Sequence, residues 1–157
     1  MGKITVKILK DEHYSEDEDI KNLIMYISGK GSNKGKEHAY VDANGLRCDA
    51  EMAAMQIIGM QELLGKVSKR RAYHMIVSFT KGVKLNSVIS ASKHIGEMLF
   101  REKGFQCYYG VHTSTDFLHI HYCINAISYM NGKKWHTNRK EFWEFNEEVR
   151  WLANKCI

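Results

Sequence analysis

Apolar and polar positions along this 157-residue chain switch between a period of two and a period near 3.6, and the switches mark out its elements. Residues 3–9 alternate Ile4, Val6 and Ile8 with Thr5 and Lys7, a short strand. In residues 16–28 the period lengthens. Ile20, Leu23, Ile24 and Ile27 form one buried helical stripe, and Ser15 with Glu18 supplies a capping box at its start. Tyr26 falls about 100° from the centre of that stripe, so the core does not need it and it points sideways. Residues 37–41 and 46–48 flank Asp42-Ala-Asn44-Gly45, the chemistry of a hairpin. Helices follow over residues 50–64, ended by Gly65, and 84–103, ended by Gly104, with a strand over 71–80 between them. Strands are predicted over 106–112 and up to Asn125, then a second hairpin signal at Asn131-Gly132, and a last helix over 139–155. Short turns join the late strands, so they pair antiparallel. The pattern predicts an α+β fold in which one antiparallel sheet carries helices mainly on one face.

One stretch carries chemistry. His112 to Asn125 reads HTSTDFLHIHYCIN. Leu118, Ile120, Tyr122 and Ile124 alternate with His119, His121, Cys123 and Asn125, so one face is apolar and the other presents two neighbouring imidazoles. Pairing of this strand with the one before it brings His112 to the same place. Three neutral imidazoles on rigid strands can hold a divalent metal and leave open positions. Two histidines facing water are the plain alternative. In the strand over 71–80, His74 lies opposite the apolar row of Tyr73, Met75, Val77 and Phe79, which makes it a candidate second contact to the site or to a ligand. Asp116 can orient an imidazole through its second nitrogen or serve as an ordinary turn residue, and Asn125 can bond a phosphate, a base or a structural partner.

Composition narrows the class. Apolar content of 44% and charged content of 26% suit a globular protein of one domain. No run approaches the roughly 18 apolar residues of a membrane span, and the first residues lack a signal-peptide core, so a cytoplasmic location is expected. Four cysteines without close spacing give neither a zinc knuckle nor a disulfide framework. Net charge is +5, which suits a polyanionic partner. The basic residues gather at Lys30 and Lys34, at Arg70 and Arg71, and at Lys133 and Lys134, in loops and element ends where phosphates can be met.

The wording Gly110-Val-His-Thr, His119-Ile-His121 and Asn125 resembles the three-histidine motif of relaxases, specifically the MobA/MobL-like (MobP) branch of the HUH endonucleases. The similarity extends to Asn22-Leu-Ile-Met-Tyr-Ile27 and Tyr73-His-Met-Ile-Val-Ser-Phe79, covering roughly residues 15–136 in the same order. It departs at Ser114, where many relatives carry an acid; here the acid is Asp116. The resemblance implies a palm-like sheet of about five strands with the histidine strands central. It implies His112, His119 and His121 as ligands of magnesium or manganese, with zinc, nickel or cobalt as alternatives. It implies Tyr26 as the nucleophile of site- and strand-specific DNA nicking through a 5′-phosphotyrosyl intermediate, initiating conjugative transfer or mobilisation of a plasmid or integrative element. Single-stranded or hairpin DNA at an origin of transfer is the implied partner, with accessory relaxosome proteins. The 157 residues then form one relaxase domain, either a minimal version or the catalytic part of a longer protein.

Two other readings remain open at this level. A rolling-circle initiator or single-tyrosine transposase would use a tyrosine that follows the histidines. A binding module would keep the fold and bind single-stranded DNA without cutting it.

Overall fold

The computed structural model describes residues 3–9, 14–29, 38–65, 69–113 and 115–157. Five strands form one sheet: β1 (Thr5–Ile8), β2 (His38–Asn44), β3 (Ala72–Ser78), β4 (Cys107–His112) and β5 (His119–Asn125), in the order β1-β3-β5-β4-β2. Every pairing is antiparallel. The helices are α1 (Asp17–Ser28), α2 (Ala50–Leu63), α3 (Leu85–Glu97), which runs into a wider π-helical turn over Met98–Glu102, and α4 (Arg139–Asn154). The α+β class and antiparallel pairing are as the sequence pattern predicts, and the five strands with the histidine strands central are as the resemblance implies.

The helices divide between both faces of the sheet, which corrects the expected one-sided packing. On one face, Met75, Val77, Val111, Ile120 and Tyr122 meet Val88, Ala91 and Ile95 of α3 and Phe145 and Val149 of α4. On the other, Ala72, Tyr108 and Cys123 meet Ile20, Leu23, Ile24 and Ile27 of α1 and Ala53, Ala54 and Ile57 of α2. This explains why β4 is buried along its whole length. A strand covered on both sides has no reason to show an apolar–polar alternation.

Two local expectations also change. Residues 37–48 do not form a hairpin. β2 continues through Asp42 to Asn44 because β4 supplies its partner, with Asn44 opposite Cys107, and Gly45, at φ 77°, ends the strand. The capping box of α1 sits one residue later than predicted: the Asp19 carboxylate accepts from the backbone N–H groups of Glu16 and Ser15. At Asn131-Gly132 a turn does form. Its strands are reduced to one bridge between Ile127 and Lys134.

Candidate active site

Register builds the site. His112 of β4 stands opposite His119 of β5, and His121 stands opposite Gly110. All three imidazoles project from the α1 side of the sheet. One ligating nitrogen from each ring falls within 4.8 Å of the others, the only such His/Cys/Asp/Glu cluster among the described residues.

The second nitrogen of each ring is held in place, and together the contacts define one consistent set of tautomers. His119 Nδ1–H donates to the Phe117 carbonyl at 2.9 Å, leaving Nε2 for a ligand. His112 Nε2–H donates to the Ile27 carbonyl at 3.2 Å, leaving Nδ1. His121 Nδ1 lies 2.8 Å from Nε2 of His74, and His121 Nε2 is buried without a hydrogen-bond partner among the described residues. An orphaned, buried lone pair pointing into a three-imidazole cluster is what a metal ligand looks like before its ion is considered. With His121 Nδ1–H as donor, His74 accepts at Nε2 and donates from Nδ1 to the Tyr14 hydroxyl oxygen at 3.0 Å.

Burial favours the neutral form of His121, as ligation requires, and of His74 behind it. Desolvation, with the neighbouring histidines adding to it, pulls the His121 imidazole down to about 2. Desolvation and the nearby His112 take His74 down to about 4. The donor set therefore fits a divalent cation.

Tyr26 comes from α1 onto this cluster. Its ring centroid lies 5.2 Å from that of His121, 5.4 Å from His112 and 6.3 Å from His74, and the residue is 36% exposed. Such close placement depends on Gly110. A Cβ there would meet the Ile27 carbonyl oxygen at 2.8 Å. Only a glycine on β4 lets α1 lie this low over the histidines.

Other sequence candidates separate. His74 reaches the cluster, as expected. Asp116 does not orient a histidine: it lies on an exposed turn, 3.6 Å from Lys81, and the Phe117 carbonyl takes that role. Asn125 shares the histidine face but sits at the far end of β5, 0% exposed. Its amide bonds Gln106 Oε1, while its carbonyl oxygen accepts from Gln61 and the Ile127 N–H. Its polar atoms are bonded within the fold. Arg71 is likewise buried, paired with Asp17 and donating from Nε to Gln61 at 2.9 Å, so it is no surface cation. Lys30 and Lys34 lie outside the described residues. Lys133 and Lys134 are exposed, and Arg70 is half-buried with its Cζ 5.1 Å from the Tyr73 ring centroid; Tyr73 points to the opposite face of the sheet from the histidines. Tyr14 is the missed member of the site, its hydroxyl 3.0 Å from His74 Nδ1. It precedes α1 and belongs to no periodic element, so nothing in the local pattern placed it beside His74.

Comparison with known proteins decides the family. The relaxase family described as MobA/VirD2-like, nuclease domain, matches residues 26–156. The chain belongs to that family. No curated protein matches it. A solved structure described as the molecular basis of vancomycin resistance transfer in Staphylococcus aureus shares the fold, at a TM-score of 0.68 and 15% identity over 99% of this chain and 92% of that one. Membership makes the chain a relaxase nuclease domain at the general level. No helix among the described residues is long and apolar enough to cross a membrane.

Proposed function

We propose that this relaxase domain nicks one strand of single-stranded or extruded DNA at an origin of transfer, with Tyr26 as the nucleophile. The observation that carries the reading is the Tyr26 ring lying against His112 and His121, two of the three imidazoles of the cluster. The phenol oxygen attacks the scissile phosphorus, the bond from phosphorus to the 3′-oxygen breaks, and a 5′-phosphotyrosyl ester forms. The phenol proton passes to solvent and the departing 3′-oxygen takes one up, leaving a free 3′-hydroxyl. The ester conserves the bond energy, so the 3′-hydroxyl can reverse the step and rejoin the strand.

His112, His119 and His121 would hold a divalent cation, magnesium or manganese by family and zinc, nickel or cobalt by donor type, which supplies positive charge at the non-bridging oxygens. The chain's own contribution is orientation. The carbonyls of Phe117 and Ile27 and the His74 ring each fix one histidine, and α1 fixes Tyr26 above them. Initiation of conjugative transfer or mobilisation, with accessory proteins at the origin, is the biological role this chemistry serves.

The positions of the other tyrosines argue against a rolling-circle type of enzyme. Only Tyr122 and Tyr129 follow His121. Tyr122 is buried on the α3 side, donating to the Ser92 carbonyl, and Tyr129 donates to the Phe100 carbonyl. Tyr40, with its hydroxyl on Asp42, and Tyr108, with its hydroxyl on the Cys48 carbonyl, are likewise committed elsewhere.

The test is mass spectrometry of the covalent adduct formed with a panel of origin-like oligonucleotides and manganese or magnesium. A phosphodiester adduct on the peptide containing Tyr26, absent from Tyr26→Phe, is expected. An adduct that survives that substitution moves the nucleophile to another residue. Tight binding without cleavage under every divalent ion returns the domain to a binding module.

A further inference from the structure

Tyr73 and His74 are consecutive on β3 and point to opposite faces of the sheet. His74 joins the histidine cluster; Tyr73 lines a separate groove on the α4 side. That groove runs between the end of β1 and the start of α4, has a volume of about 380 Å³, and is lined by Arg70, Tyr73, Trp135, Arg139 and Phe142 together with Ile8 and small polar residues. We propose that it is a second binding site for single-stranded DNA, holding a nucleotide of the strand independently of the histidine cluster.

Three features of the groove select that ligand. Its size falls within the range of small-ligand sites, large enough for one base and its sugar. Its walls are aromatic: Tyr73 and Trp135 meet edge-on with centroids 4.9 Å apart, and Phe142 also lines the groove. Bases of any identity stack on such walls. Its charges are two arginines with no carboxylate among the lining residues. Arg70 Cζ lies 5.1 Å from the centroid of the Tyr73 ring, a cation–π contact that ties the half-buried guanidinium to the groove wall. Lys134 belongs to the same positive region: burial lowers its ammonium, and the charges of Arg70 and Lys69 lower it further. A neighbouring cleft beyond Trp135 makes the contrast. Its lining carries three carboxylates, Glu141, Glu144 and Glu148, against Lys103 and His136, so it suits a polyanion less well.

A strand bound here is held without contact with the nicking chemistry, so the enzyme keeps a grip on DNA whether or not the phosphodiester is intact. The choice of DNA as ligand rests on the nuclease reading of the histidine cluster, but the groove's occupancy does not depend on which residue is the nucleophile.

The probe is fluorescently labelled dT12, titrated in EDTA so that the histidine cluster contributes no cation. In a Trp143→Phe, Trp151→Phe background Trp135 is the sole tryptophan; both replaced residues are well exposed, at 63% and 59%. Stacking in the groove is expected to quench Trp135 in step with the anisotropy change. Arg70→Glu with Arg139→Glu is expected to weaken dT12 binding about tenfold or more and to flatten its salt dependence, since two phosphate-facing cations are gone. Arg70→Lys with Arg139→Lys restores most of it. At saturating oligonucleotide and metal, the charge-reversed variant still forms the covalent adduct, and Tyr26→Phe still quenches Trp135. Binding of dT12 without any change at Trp135, or equal affinity in the charge-reversed variant with an unchanged circular-dichroism spectrum, overturns the groove. Either result leaves the adduct test of Tyr26 standing.

Discussion

His74 Nε2 sits 2.8 Å from Nδ1 of His121, on adjacent strands and beneath the ring of Tyr26. The contact decides which nitrogen of His121 carries the hydrogen, and so which one offers a lone pair to a cation. His74→Phe fills the space without an acceptor. It should weaken manganese or zinc binding by about 10–100-fold, measured by calorimetry, while the circular-dichroism spectrum stays native. Tyr14→Phe removes only the far end of the chain of contacts and should cost less. Unchanged affinity in both variants would show that His121 needs no such partner.

The same burial sets a pH dependence. In the unfolded chain His74 titrates near 6.5; folded, it is held down to about 4 by desolvation and His112. Between these values the unfolded state binds the proton and the folded state does not, so stability falls as pH falls from about 6.5 toward 4. For His74 alone the loss is on the order of 3 kcal/mol. Thermal melts in chelator should trace this slope, and His74→Phe should make it shallower, with the share of His121 remaining. A melting temperature constant over that range would contradict the burial argument.

Gly110→Ala tests how α1 is seated. The added methyl meets the Ile27 carbonyl oxygen and Cγ2 at 2.8 and 3.1 Å. The helix must rise, at a cost of about 1–3 kcal/mol. Tyr26 rises with it, so adduct formation should drop steeply while the three histidines on the strands still bind metal. Wild-type adduct yield in this variant would mean that the height of α1 does not matter.

Asn125→Ala is expected to act on stability alone. It strips partners from Gln61, Gln106 and the Ile127 N–H within the buried layer under α2, at a cost of about 2–3 kcal/mol in denaturant unfolding. Metal affinity and dT12 affinity should match the parent. A selective loss of DNA binding in a stable variant would return Asn125 to the site.

Tyr26→Phe should separate chemistry from assembly. The residue is partly exposed, and its loss of one hydroxyl should shift unfolding by less than about 1 kcal/mol, with metal and oligonucleotide affinities intact and the adduct gone. A large loss of stability would make the phenol a structural group.

The residues show why some of this could be read in advance. His119 and His121 alternate with large apolar residues, so the period of two alone put both rings on one face. Ile20, Leu23, Ile24 and Ile27 fixed the buried side of α1 and thereby left Tyr26 outside it. Local pattern cannot report pairing across the chain, however. Asp42-Ala-Asn44-Gly45 has the composition of a tight turn, yet β4, more than sixty residues away, draws it out as strand. The polar residues Arg71 and Asn125 look like surface groups until Gln61 of α2 is laid over them. Asp116 had the right chemistry to support an imidazole, but a backbone carbonyl one residue on was nearer. Tyr14 carried no signal because its partner is sixty residues distant.

The strands bearing the three imidazoles are stitched on both sides, β5 between β3 and β4, and β4 between β5 and β2. Their spacing is therefore written into backbone ladders and owes nothing to a bound ion, unlike small zinc domains that collapse when stripped. A cation held there would be a removable tenant of a standing house: it could leave, be exchanged for another and return, with the architecture waiting unchanged.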